Sequence, residues 1–170
     1  MKIYLVGMPG SGKSTLGAQL AQRLNMEFID LDKEIEKFEG NLVTDIFAAK
    51  GEDHFRKVES TLLIELSQSN KNFIMATGGG APCYHGGMKI INENGLSIFL
   101  DEPLEVLITR LEKKIDRPLL NETDSFKRHE KLEHLRASRL DCYHQAWVTV
   151  KGATLSKILE VLEIRTQTQK

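Results

Sequence analysis

The chain has 170 residues, of which 41% are hydrophobic and 28% charged, and a net charge of −1. That is the size and mix of a single globular domain with a real core. It excludes a bulk basic surface for nucleic acid and, with no run approaching the roughly 18 apolar residues a membrane span needs, it predicts a protein without a membrane anchor. Its two cysteines, Cys83 and Cys142, lie far apart in sequence and sit in no C-x-x-C. They make neither a disulfide scaffold nor a zinc site, so each reads as a separate buried thiol in a reducing cytoplasm.

In chain order, Ile3–Val6 is the first short apolar run, too short and too soon interrupted for a signal peptide, and it reads as a buried strand. Ser14 to Leu24 comes next with Leu16, Leu20 and Leu24 at spacing four, a helix. Phe28–Ile29 reads as a second strand. Residues 31 to 70 hold helical patterns and no strand, including Leu62, Leu63 and Leu66, and predict a helical insertion. Phe73–Ala76 and Leu96–Leu100 are further strands. Leu104 to Leu111 is a helix with Pro103 at its first turn. Residues 112 to 125 are charged, aperiodic and contain a proline, the composition of a long loop that is either functional or disordered. Trp147–Val150 is the last strand and Leu155 to Ile164 the last helix. Strands alternating with helices imply a mostly parallel sheet covered on both faces, with ligands beyond the carboxyl ends of its strands.

Directly after the first strand stands Gly7-Met8-Pro9-Gly10-Ser11-Gly12-Lys13-Ser14, which fits G-x-x-x-x-G-K-[ST]. Glycines let the backbone turn its N–H groups onto phosphates, lysine reaches the β and γ oxygens, and the serine hydroxyl suits Mg²⁺. The pattern predicts nucleotide binding without separating kinases from GTPases or motor ATPases. After the second strand come Asp30 and Asp32. If the extended path lasts through Asp32, both carboxylates leave the sheet on one side. Asp30 is then assigned to the metal shell and Asp32 to the attacking hydroxyl. The alternative is that Asp32 merely caps a helix Lys33–Phe38.

Thr77-Gly78-Gly79-Gly80-Ala81 ends the third strand with either a tight turn or a backbone open to a ligand. Arg56, Arg110, Arg117 and Arg139 are candidates for bidentate recognition of carboxylate or phosphate.

Taken together the motifs resemble shikimate kinase along nearly the whole chain. The resemblance is carried by Gly7–Thr15, Asp30-x-Asp32, Asp45-Ile46-Phe47, Gly51-Glu52, Phe55-Arg56-x-x-Glu59, Gly78-Gly79-Gly80, Arg110, Arg117-Pro118-Leu119-Leu120, and Arg139 with Tyr143. It implies a three-layer α/β/α P-loop kinase fold, with a five-stranded parallel sheet in the order 2-3-1-4-5. It implies one domain over 1–170, with a substrate-binding helical region at about 31–61 and a lid at about 112–124. The implied reaction transfers the γ-phosphate of ATP to the 3-hydroxyl of shikimate with Mg²⁺, in aromatic amino-acid biosynthesis. Gly10, Ser11, Gly12, Lys13, Ser14, Thr15, Arg110 and Arg117 would hold ATP, and Ser14 and Asp30 the metal. Asp32, Phe47, Phe55, Arg56, Gly78, Gly79, Gly80 and Arg139 would hold shikimate, with Lys13, Asp32 and Arg117 catalytic. A monomeric cytoplasmic enzyme with small-molecule substrates and no nucleic-acid or membrane partner is expected. The chain departs from the family at Asp141-Cys142, where Pro-Leu often precedes the tyrosine, and in the short segment Lys151-Gly152-Ala153. A related sugar-acid kinase, such as a gluconate kinase, and a nucleotide-binding module without catalysis are the rival readings.

Overall fold

A computed structural model describes residues 1–112 and 125–168. Among the described residues the elements run β1 (Lys2–Val6), α1 (Lys13–Leu24), β2 (Glu27–Asp30), α2 (Leu31–Glu39), α3 (Val43–Gln68), β3 (Phe73–Ala76), α4 (Gly87–Asn94), β4 (Leu96–Asp101), α5 (Leu104–Glu112), α6 (Ser125–Tyr143), β5 (Val148–Lys151) and α7 (Leu155–Thr168). The strands form one parallel sheet in the order β2-β3-β1-β4-β5, the order the resemblance implied.

The strands are continuous apolar runs because both faces of the sheet are covered. In β1, Ile3 and Leu5 enter one core with Leu20 and Ala21 of α1 and Ile158 of α7. Tyr4 and Val6 face the other way, into a core with Leu31 and Ile35 of α2, Phe55 and Leu63 of α3, Ile91 of α4, Leu107 of α5 and Tyr143 of α6. Two cores, one on each face, make the three layers. Among the described residues no helix is long and apolar enough to cross a membrane.

The pair Asp30 and Asp32 departs from the expected geometry. The extended path stops at Asp30, which is the N-cap of α2 and whose carboxylate accepts from the Lys33 N–H at 3.4 Å. Asp32 lies inside the first helical turn. The helix starts early because Leu31 and Ile35, one turn apart, are both fully buried against the sheet. Capping therefore falls to Asp30, not to Asp32. The helical insertion is α2 plus α3, with α3 broken at Gly51, where φ is +79° and ψ 172°. The sequence reading assigned no helix to α4.

Candidate active site

The turn after β1 is built to meet an anion. Gly12 precedes α1 with φ +94°, and among the described residues no side chain caps that helix. Its first N–H groups are left for a ligand, where the helix dipole also favours negative charge. Lys13 is 6% exposed and folds over its own loop, donating to the Gly7 carbonyl at 2.8 Å and the Met8 carbonyl at 2.9 Å. The Ser14 hydroxyl donates to Asp30 Oδ2 at 2.6 Å. Hydroxyl and carboxylate together are the hard oxygen donors that suit Mg²⁺. A cleft of about 490 Å³ opens here, lined by Gly10, Gly12, Lys13, Ser14, Thr15, Asp30, Asp32, Thr77, Gly79, Arg110 and Ala153. Asp32 thus shares the phosphate cleft although it left the sheet as a helical residue.

The triple glycine ties the cleft to the arginines. A Cβ on Gly78 would stand 2.7 Å from Glu59 Oε1 and 2.8 Å from Asp32 Oδ1. On Gly79 it would stand 3.3 Å from an Arg139 guanidinium nitrogen, and on Gly80 between 2.3 and 2.6 Å from three guanidinium atoms of Arg56. Side chains occupy the space that any larger residue would take, so the close packing of Asp32, Glu59, Arg139 and Arg56 against the turn accounts for the three glycines. Residues 32, 56 and 139 therefore gather around the glycine turn, whose Gly79 lines the cleft together with Lys13 and Asp32.

Arg56 and Arg139 are both buried. Arg56 donates from Nε and Nη2 to Glu52 Oε1, at 3.2 and 3.0 Å, and from Nη1 to Glu59 Oε2 at 2.7 Å. Among the described residues Glu59 Oε1 has no hydrogen-bond partner, in a carboxyl 2% exposed. Burial pushes the Glu59 carboxyl up to about 7, Arg56 opposes the rise, and the nearby Asp32 adds to it. Tyr143 donates its hydroxyl to the Gly79 carbonyl at 2.5 Å and bonds Arg139, which seats the end of α6 on the glycine turn. Burial raises the Tyr143 pKa, so the hydroxyl keeps its proton. Phe55 is 3% exposed and lies beneath the half-buried Phe47, ring centroids 4.6 Å apart.

Arg110 donates to the Gly10 carbonyl at 3.2 Å and pairs with Glu102 at 3.7 Å. Ser11 is fully buried beneath the loop. Arg117 and residues 113–124 of the expected lid lie outside the described residues. Two contributors were missed in the sequence. Glu102 accepts the Ala153 N–H at 2.7 Å and so joins the short 151–153 segment to Arg110; a lone acid before Pro103 carries no signal for this. Tyr84 covers Arg56, with the guanidinium carbon 4.3 Å from the ring centroid. The cysteines also differ from expectation. They are half-buried and in contact with each other, because the turn after Gly80 and the end of α6 meet.

A phosphate loop at the end of the central strand, an acid beside it and a doubly cationic pocket on a glycine turn define a small-molecule phosphotransferase of the P-loop kinase class. Comparison with known proteins gives the narrower answer. The shikimate kinase family profile matches residues 9–167. A shikimate kinase of Persephonella marina is 42% identical over 162 residues, 95% of each chain. The shikimate kinase of Acinetobacter baumannii, solved in complex with shikimate, superposes with a TM-score of 0.89 at 33% identity, covering 96% of this chain and 93% of that one. The Bacteroides thetaiotaomicron shikimate kinase structure gives 0.87 at 30% identity, covering 100% and 99%. The chain belongs to the shikimate kinase family.

Proposed function

We propose that this protein transfers the γ-phosphate of ATP to the 3-hydroxyl of shikimate, as one kinase domain over 1–170 with its substrate region at about 31–61 and a lid at about 112–124. The convergence of Asp32, Arg56 and Arg139 on Gly78–Gly80, against the loop that carries Lys13, is the observation that supports it.

Phosphoryl transfer asks for positioning and charge cancellation more than covalent help. The loop amides of 10–15 and Lys13 hold the β and γ oxygens. Lys13 gives up its two carbonyl partners when a more strongly charged acceptor arrives. Ser14 and Asp30 would hold Mg²⁺, which would supply positive charge against the phosphates when bound. Asp32 accepts the hydrogen bond of the attacking hydroxyl and takes its proton late. Arg56 and Arg139 clamp the carboxylate, Gly78–Gly80 bring backbone close to the acid, and Phe47 and Phe55 wall its ring. Arg110 flanks the adenine side, and Arg117 reaches the phosphates from the lid.

A cytoplasmic monomer acting on these two small molecules, without nucleic acid or membrane, completes the reading. A coupled ADP-release assay tests it with shikimate, quinate and gluconate as acceptors. Turnover is expected on shikimate, with Mg²⁺ required and the phosphate found on the 3-hydroxyl. Preference for gluconate, or ATP binding without turnover on any acid, refutes it.

A further inference from the structure

The two cysteines of the chain meet where the segment after the glycine turn reaches the end of α6. Cys83 stands just after the triple glycine, its N–H donating to the Gly80 carbonyl at 2.8 Å. Cys142 sits at the end of α6, beside the tyrosine that bonds the Gly79 carbonyl at 2.5 Å. These bonds hold turn and helix end together, and the two half-buried thiols lie beside each other there. Arg139 lies near both thiols and Arg56 near Cys83. The sulphurs are not equivalent: the contact with Cys83 lowers the Cys142 thiol, with help from Arg139 and against burial, and raises that of Cys83.

We infer that Cys83 and Cys142 form a modification site, a dithiol that a peroxide closes into an intramolecular disulfide tying the glycine turn to α6. The Cys142 sulphur attacks one oxygen of hydrogen peroxide, the O–O bond breaks, and the departing hydroxide takes up a proton as water. The resulting sulphenic acid is attacked by the Cys83 sulphur. The S–S bond forms, the S–O bond breaks, and the hydroxide leaves with the Cys83 proton as a second water. Two thiols lose two electrons and one peroxide gains them. A disulfide brings its sulphurs to about 2.05 Å, far inside any thiol–thiol contact, so closure draws turn and helix together. Gly79 and Gly80 ride on the turn and Arg139 on the helix, while the 10–15 loop stands on another strand.

The test treats the full chain with stoichiometric hydrogen peroxide. Free thiols are expected to fall from two to none, with loss of two hydrogen atoms from the mass, a peptide linking residues 83 and 142, and reversal by a dithiol reductant. Oxygen adducts on separate cysteines, links between two chains, or unreactive thiols overturn the inference. Cys83→Ser and Cys142→Ser, assayed reduced, keep basal turnover and cannot form the link. Resting on the proposed function, the oxidised wild type shows a several-fold rise in KM for shikimate and an unchanged KM for ATP, and peroxide-treated Cys83→Ser does not. A disulfide that leaves the shikimate KM unchanged overturns the coupling to the pocket. A reduced enzyme inactive on shikimate would refute the functional reading while leaving the thiol measurement intact.

A separate observation carries a second inference. The Arg56 guanidinium has Gly80 against it and the ring of Tyr84 over it, with Glu52 and Glu59 along its edges. The geometry points to Tyr84 as a positioning residue, a π face that keeps the guanidinium in place for a carboxylate ligand of the proposed site. Tyr84→Ala is expected to raise the shikimate KM about three- to tenfold, with the ATP KM and Tm held, and Tyr84→Phe to restore it. An unchanged shikimate KM in Tyr84→Ala, or a Phe variant as poor as Ala, overturns the assignment.

Discussion

Asp32 and Glu59 flank Gly78 yet occupy different states. Asp32 lines the open cleft, whereas Glu59 is buried with one oxygen on Arg56 and the other, among the described residues, without a partner. Asp32→Asn should lose most of kcat, since the amide is a poor acceptor for the nucleophile's proton; near wild-type turnover would remove its role. Arg139→Ala should raise the shikimate KM and leave the ATP KM nearly unchanged, with a cost of about 2–5 kcal/mol for a buried charge pair. Equal KM values for shikimate would take Arg139 out of the clamp. Glu59 makes a pH prediction. Its folded value of about 7 lies above the ordinary 4.5, so folding favours the neutral form. The associated stability is complete below about pH 4.5 and is lost as pH rises through about 7, by about 3 kcal/mol at most. Thermal melts should show the Glu59→Gln curve flatter than wild type between those values. Parallel curves would mean that Glu59 titrates normally.

At the scale of elements, the glycine turn after β3 organises the pocket, because each of its residues borders a charged side chain from a different helix. Gly80 is the most demanding position. A methyl group there would press on the Arg56 guanidinium at 2.3 to 2.6 Å, and that group is already held by Glu52 and Glu59. Gly80→Ala should therefore displace Arg56, raising the shikimate KM about tenfold or more for an overpacking cost of about 1–3 kcal/mol. ATP binding measured calorimetrically should not change. Simultaneous loss of ATP binding would show that the turn and the phosphate loop move as one unit. α2 shows why element boundaries were harder to read than elements. The run Phe28–Ile29 signals a strand plainly, but whether Asp30 or Asp32 caps the next helix depends on how deeply Leu31 packs, which is a tertiary matter.

Across the whole molecule, the sheet separates two tasks. Among the described residues, the core with α1 and α7 contains none of the side chains proposed to hold shikimate, while the opposite core contains Phe55 and Tyr143 and packs against Phe47, Cys83 and Cys142. Shikimate binding should consequently stabilise the fold as a native-state ligand. At about one hundred times its Kd the gain is about 2.7 kcal/mol, read as a rise in Tm that quinate or gluconate fails to match. An equal rise with gluconate would reverse the substrate assignment.

The phosphate loop and the apolar strands were legible because each signal is local, whereas the roles proposed for Arg56 and Arg139 came from the family resemblance. A glycine spacing or a run of β-branched residues acts over a few neighbouring positions, where chain geometry alone sets the outcome. The sequence by itself thus determined the class of fold and, through the family it resembles, the strand order; the same resemblance supplied the residues proposed for the site. Only the tertiary structure decided that Cys83 meets Cys142, that Tyr84 covers Arg56, that Glu102 holds Ala153, and that one oxygen of Glu59 lacks a partner among the described residues. Three of these facts join residues tens of positions apart, or side chains on different elements. The Glu59 oxygen depends on what several elements leave around it. Such contacts arise from how covered layers pack, and no periodicity along the chain encodes them.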